Sequence, residues 1–268
     1  MISKHSKVDA STRLATVGEL LRYWRGVRGY SQLDLALEGG TSQRHISFVE
    51  SGRSVPSRNM LTMLSEALNI PLRERNALLF AAGYAALYTE ASLDDATMKI
   101  VMNAIDQMLS NHEPHPALLL DRYWDVVRPN SAATAFFGSM IDLAAFPKPR
   151  NLLELIFNPA GLRPHIESWE TVAAGLLQRV RREAIGQVID GRLQALLDKL
   201  KRYPGAENLP IYTSSDSPFV PITFRRGAER ISYFSLVTTV GTPQTITAQE
   251  LRLECMFPID PPVGTMRS

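Results

Sequence analysis

Twenty residues, Ser31 to Glu50, constrain the fold of this chain more than any other stretch. They read SQLDLALEGGTSQRHISFVE, two short amphipathic segments on either side of a Gly-Gly-Thr turn. Counting from Gln32, Ala36 falls fifth, Gly40 ninth, Ile46 fifteenth and Val49 eighteenth. Two helices that cross steeply need a small residue at the crossing, and Ala36 is one. They need a residue that tolerates positive φ in the turn, which Gly40 supplies. They also need apolar anchors on the inner face of the second helix, here Ile46 and Val49.

A chain of 268 residues exceeds the roughly 60–80 that a domain built on such a pair requires, so two domains are expected. With 45% apolar and 21% charged residues the composition is that of ordinary globular protein, which excludes disordered and fibrous classes. Residues 1–90 carry a net charge of +3 and the remainder −1, a small basic excess on the side of the helix pair. The single cysteine, Cys255, excludes an internal disulfide and a Cys-based zinc site. Its neighbours Leu253 and Phe257 read as a core strand. No apolar run approaches the ~18 residues of a membrane span. Residues 1–16 are polar and lack a signal-peptide core, so a cytoplasmic protein is expected.

Periodicity predicts five helices in the first domain. The first runs from Val17 to about Arg28, with Val17, Leu20, Leu21, Trp24 and Val27 on one face and Gly29 as its stop. Ser31 caps the second, in which Leu33, Leu35, Ala36 and Leu37 mix inner and flanking positions. Thr41 or Ser42 caps the third, which ends at Gly52. The fourth spans about Arg58 to Leu68 and the fifth about Leu72 to Ala82. The expected division is a tail at 1–16, a helical domain at 17–83, a connector with a helix at 84–111, a second domain at 112–260 and a tail at 261–268. The connector helix, about Asp94 to Leu109, has a Met-rich stripe (Met98, Val101, Met102, Ile105, Met108, Leu109) that fits core packing, an inter-domain strut or a dimer seam.

The spacing of Ser31 to Glu50 is that of a DNA-binding helix-turn-helix. The pattern SQ-x-x-LA, followed by IS-x-x-ESGR-x-x-P, resembles the Cro/repressor-like family, also called the XRE family. It rests on Ser31, Gln32, Leu35, Ala36, Ile46, Ser47, Glu50, Ser51, Gly52, Arg53 and Pro56, and covers about residues 17–82. The outward side of the third helix offers Ser42, Gln43, Arg44 and Ser47. Gln pairs bidentately with adenine and Arg with guanine, so Gln43 and Arg44, with His45 beside them, are the expected base readers. For each the alternative is a phosphate contact or a solvated face. The resemblance implies a phosphate contact for Gln32 and an internal ion pair between Arg25 and Glu50. Arg53 and Arg58 are further phosphate candidates.

The second domain reads as strand, turn, strand and helix over ALLLDRYWDVVRPNSAATAFFG, with Trp124, Val126 and Arg128 alternating against Asp125 and Val127. That order looks like the opening of a PAS domain, in which Asp121, Asn130 and Gly138 hold the turn and helix ends. Helical segments are expected at Leu152 to Phe157, Ile166 to about Arg182 and Gly191 to Tyr203. PFVPITFRRG, ERISYFSLVTTVG and QELRLECMFP then read as three strands. The fold class is α+β: a five-helix helix-turn-helix bundle, then a PAS-like antiparallel sheet packed with helices.

Residues 115–133, 151–170 and 225–258 are similar to a narrower family, the MmyB-like ligand-binding domain behind this type of helix-turn-helix. The resemblance implies a PAS-like sensor for a small lipophilic molecule, such as a fatty acid, in a dimeric transcription regulator that binds double-stranded DNA. Pro129 departs from the pattern and predicts an early end to the second strand. Candidate cavity residues are Phe136, Phe137, Phe157 and Trp169 on helices and Trp124, Ile222, Phe224, Phe234 and Leu236 on strands, with a solid core as the alternative. Arg122, Arg163 and His165 are candidate cations for an acidic head group. His112 and His115 lack a third ligand, so no metal or other cofactor is expected. No Gly-Lys-Ser/Thr loop, Gly-x-Ser-x-Gly elbow or HExxH is present, so an enzyme is not expected.

Overall fold

Side-chain caps fix where the helices of the first unit begin. The computed structural model describes residues 15–185, 191–209 and 219–259, in two units, Met1–Tyr88 and Thr89–Ser268. In the first unit α1 (Val17–Val27) opens with a reciprocal cap between Thr16 and Glu19, and α2 (Gln32–Glu38) with one between Ser31 and Asp34. Ser42 caps α3 (Gln43–Glu50) and Ser57 caps α4 (Arg58–Ala67), while α5 (Leu72–Ala81) follows Pro71. Leu21, Trp24, Leu35, Ile46, Val49 and Leu64 are fully enclosed between these helices. Gly40 stands at φ +62 in the turn, where a side chain would be strained. Leu33 and Leu37 take the flanking role and point outward.

The second unit begins with α6 (Ala96–Asn111), which packs on a five-stranded antiparallel sheet. The strands are β1 (Ala117–Leu120), β2 (Val126–Pro129), β3 (Ile222–Arg226), β4 (Glu229–Thr238) and β5 (Arg252–Pro258), in the order β2-β1-β5-β4-β3. The apolar run of β1 is buried on both sides. Ala117 and Leu119 meet Met98, Met102, Ile105 and Leu109 of α6, together with α11 (Ile246–Glu250). Leu118 and Leu120 face α7 (Ser131–Gly138), α8 (Leu152–Phe157), α9 (Trp169–Ile185) and α10 (Gly191–Lys201). α6 is thus one layer of the second unit: Met98, Met102, Ile105 and Leu109 of its stripe are core, whereas Met108 is exposed.

Several local expectations change. Trp124 is not in a strand: it sits at φ +68, in a turn held by Asp121 Oδ1, which accepts from the N–H of Tyr123 (2.8 Å) and Asp125 (2.9 Å). β2 ends at Pro129. As an edge strand it loses nothing through the missing N–H. Ile166 lies before α9, because Ser168 at φ +49 starts the helix at Trp169. Gln249 and Glu250 belong to α11, capped by Thr245, so β5 starts only at Arg252. The start of PFVPITFRRG, to Pro218, lies outside the described residues.

Candidate nucleic-acid interface and ligand cavity

α3 presents its two faces as its spacing requires. Ile46 and Val49 are buried, while Gln43 and Arg44 are exposed and Ser47 is half-buried beside them. Ser42 Oγ accepts from the His45 N–H at 3.1 Å, so this hydroxyl is engaged in capping. Arg53, in the loop after α3, and Arg58, the first residue of α4, are exposed. Phe48 lies between Arg53 and Arg44: the Arg44 guanidinium is 5.2 Å and that of Arg53 5.9 Å from its ring centroid.

Behind α3, Glu50 is only 4% exposed, and its carboxylate gathers Arg25, Gln32 and, at 3.5 Å, the Nε of Arg22. Arg25 Nε donates to Oε1 at 2.6 Å and Arg25 Nη2 to Oε2 at 3.1 Å. Gln32 Nε2 donates to Oε2 at 2.9 Å, and Arg22 Nη2 donates to the Glu50 carbonyl at 2.8 Å. The Arg25–Glu50 pair is therefore present, and the Gln32 amide is directed at it rather than left to phosphate alone. Burial pushes the Glu50 carboxyl up, but the hydrogen bonds from Arg25 and Gln32 and the charges of Arg25 and Arg22 outweigh it and hold the group below the usual carboxylate range.

In the second unit a cleft of about 770 Å³ opens between β1, β2, α7 and α8. Leu118, Val126, Phe137, Leu143, Leu152 and Leu155 give it apolar walls, and Lys148 and Arg150 stand among its lining residues. Arg150 Nε is tied to the Leu143 carbonyl at 2.8 Å, while Lys148 is exposed. Deeper in, a gap of about 30 Å³ is lined by Trp124, Phe137, Ile222 and Phe224. A third pocket, of about 310 Å³ between α9 and β4, includes Ile222, Ser235, Arg179 and Glu254.

The remaining cavity candidates pack elsewhere. Phe136 makes edge contacts with Phe137, Phe224 and Tyr233. Phe157 meets Trp169 edge-on at 5.5 Å, and the Trp169 indole N–H donates to the Ile156 carbonyl. Strand parity turns Tyr233 and Ser235 inward, which places Phe234 and Leu236 on the opposite face. Phe234 stacks there between Phe219 and Phe257, and Leu236 is 55% exposed. The three cations expected for a head group are engaged. Arg122 bonds Glu250 at 2.6 Å, Arg163 lies 3.7 Å over the Trp169 ring, and His165 contacts the Arg225 carbonyl. His112 Nε2 bonds the Met256 carbonyl at 2.8 Å.

Comparison with known families agrees with this geometry. The MmyB-like transcription regulator ligand binding domain matches residues 101–267, and a helix-turn-helix family matches residues 21–75. The chain belongs to the MmyB-like family. No curated protein matches it significantly. The MmyB-like domain and its helix-turn-helix together make a DNA-binding regulator with a ligand-binding domain, and neither family is enzymatic. Among the described residues no helix is long and apolar enough to cross a membrane.

Three features of the MmyB-like chain escaped its periodicity. Phe48 looks like a core residue until Arg44 and Arg53 are seen flanking it. Lys148 and Arg150 sit in the run Phe-Pro-Lys-Pro-Arg, whose paired prolines mark a loop but not what it borders. Glu254 is the most informative omission: in Arg252-Leu-Glu-Cys-Met256 the polar residues share one face of the strand, and that face looks inward.

Proposed function

We propose that this chain represses or activates transcription at an operator read by Gln43 and Arg44, and that a lipophilic, fatty-acid-like ligand in the cleft of the second unit controls it. The observation that carries the reading is the 770 Å³ cleft with apolar walls and Lys148 and Arg150 among its lining residues. Its size and lining suit an alkyl chain with its carboxylate at the two cations. β1 offers the route of control. Leu118 lines the cleft, and the next residue, Leu119, packs with α6 on the other side of the sheet. A ligand that shifts β1 shifts α6, provided it binds the two arrangements with different affinity.

The protein works as a two-fold dimer on a palindromic site in this reading. The outward face of α6 supports it: Ile100, Ala104 and Met108, four apart, form an exposed stripe, with Ile100 75% exposed. The same stripe favours a second reading, in which the second unit only pairs two chains. Native mass spectrometry before and after organic extraction separates the two. A removable small mass, with a thermal shift on adding dodecanoate, is expected for the ligand-controlled regulator. A clean apo mass with no shift across a fatty-acid panel would sink it. Lys148→Ala should weaken dodecanoate binding about tenfold, the loss of one charge-assisted contact.

A further inference from the structure

The chain passes from one unit to the other without a loose residue. After α5, Gly83 at φ +83 turns the backbone round, and Asn76 of that helix, 7% exposed, takes hold of the returning segment. Its Oδ1 accepts from the N–H groups of Leu87 (3.0 Å) and Tyr88 (3.1 Å), and its Nδ2 donates to the Tyr88 carbonyl at 2.7 Å. Arg75 Nη1 donates to the Tyr88 hydroxyl at 3.1 Å. Earlier in the segment the Tyr84 hydroxyl donates to the Pro56 carbonyl at 3.1 Å, in the loop that follows α3 and carries Arg53. All of these bonds lie within the first unit.

The next residue is already held by the second unit. The Thr89 carbonyl accepts from the Ile246 N–H of α11 at 2.9 Å, and the Ala91 carbonyl from the Thr247 hydroxyl at 2.6 Å. Ala91 and Leu93 pack against the cluster that joins Leu119 of β1, Met98 of α6 and Ala248 of α11. A linker passes on motion only when it has no slack. A flexible one of four residues has a root-mean-square reach of roughly 11 Å and absorbs smaller shifts. Here the last anchor of one unit and the first of the other fall on Tyr88 and Thr89, joined by one peptide bond. A displacement of α11 is therefore delivered to the first unit through Tyr88, or it breaks an anchor. The anchors are few and Leu87 is 44% exposed, the pattern of a segment that opens locally.

We propose that residues 84–91 form a strap that carries the state of the cleft to the DNA-reading unit, with Asn76 as the positioning residue that docks it. This rests on the reading that a lipophile in the cleft controls the regulator, and it adds the path. Leu118 lines the cleft, Leu119 beside it shares a cluster with Ala248 of α11, and α11 holds Thr89 and Ala91. With the strap docked, Tyr84 ties down the Pro56 loop. Arg53 of that loop lies 5.9 Å from the Phe48 ring, which Arg44 also flanks. With the strap released, the loop loses that tie. The ligand selects between the two states by binding them with different affinity.

The test uses the full chain, dodecanoate as the probe, and an operator selected from random duplexes by the wild-type protein, with DNA binding read by fluorescence anisotropy. Saturating dodecanoate should change the wild-type operator Kd at least about fivefold, the lower end of allosteric coupling. An insertion of Gly-Ser-Gly-Ser between Tyr88 and Thr89 breaks none of the bonds above and adds slack. Dodecanoate should still bind that chain, and its operator Kd should no longer respond. Asn76→Ala should also reduce the response, and should open the Leu87 and Tyr88 amides to fast hydrogen exchange, from which they are protected in wild type. If the chain with the insertion responds as fully as wild type, or if those two amides exchange unprotected in wild type, the strap is not the path. The inference then fails and ligand control is untouched. If dodecanoate binds but the wild-type operator Kd does not move, ligand control fails and the inference with it. If dodecanoate does not bind, the cleft reading itself fails and takes the inference with it.

Discussion

At the scale of single residues, Glu50 joins stability to the DNA-reading surface. Replacing it with Gln removes the charge that Arg25 and Arg22 face, and should cost about 3 kcal/mol in urea denaturation. Because the folded carboxyl lies below its ordinary value of 4.5, its contribution is fully present above that pH. It is lost as pH falls through the lower folded value. The gap in stability between wild type and Glu50→Gln should therefore be flat at neutral pH and narrow only in acid, below about pH 4.5. On the exposed face, Arg44→Ala should relax specificity at one operator position, read by comparing operator variants with random DNA. Phe48→Ala should weaken specific binding about two- to fivefold by releasing the Arg44 and Arg53 side chains it flanks, with stability nearly unchanged. Gln32→Ala should weaken all sites alike. It should also cost about 1 kcal/mol of stability, because its amide serves Glu50 as well. That double duty is invisible in sequence: the position signals a helix start, whereas its partner lies 18 residues away.

At the scale of elements, close approach and capping decide what is tolerated. A Cβ at Gly18 of α1 would lie 2.5 Å from the Val49 carbonyl oxygen of α3, so Gly18→Ala should cost about 1–3 kcal/mol although alanine is the better helix former. Asn130 caps α7 through the Ala133 N–H, accepts from the Ala117 N–H and donates to the His115 carbonyl at 2.9 Å. Asn130→Ala should lose about 2–3 kcal/mol by calorimetry, because it leaves buried backbone groups open at both ends of the strand–helix unit. These elements were the legible part. Ser31, Ser42 and Ser57 start helices where apolar periodicity begins, and local chemistry suffices to read them. Trp124 and α11 were not legible, because each depends on remote support. The turn at Trp124 needs the Asp121 carboxylate and a bond from Leu152 N–H to its carbonyl, and α11 docks on residues 89–91. The cleft was not legible in place: of the aromatic candidates only Phe137 lines it. The other aromatic candidates fill the packed core or, like Phe234, lie on the outer face, whereas the cleft lies beside β2, where branched aliphatic residues and two cations line it.

At the scale of the molecule, ligand and partner chain should act on stability by mass action. A lipophile at a hundred times its Kd should raise the unfolding free energy of the second unit by about 2.7 kcal/mol, seen as a thermal shift that vanishes when the cleft is blocked. Leu152→Trp, which fills that cleft from α8, is the blocking variant, and it should leave operator binding of the first unit measurable. Ile100→Glu should shift sedimentation from dimer to monomer and make operator binding steeply concentration-dependent. The sheet itself restricts how two chains can meet. Its two outer strands are β2, which ends in exposed Arg128 and Pro129, and β3, which ends in exposed Arg225 and Arg226. A proline has no N–H to offer a neighbour, and the arginines are held in ion pairs, Arg128 with Asp106, Arg225 with Glu167 and Arg226 with Glu229. Both margins are also taken up in part by the chain itself, since the Val126 N–H donates to the Arg150 carbonyl and the Glu167 N–H to the Thr223 carbonyl, so these described edges discourage growth of the sheet into a continuous ribbon.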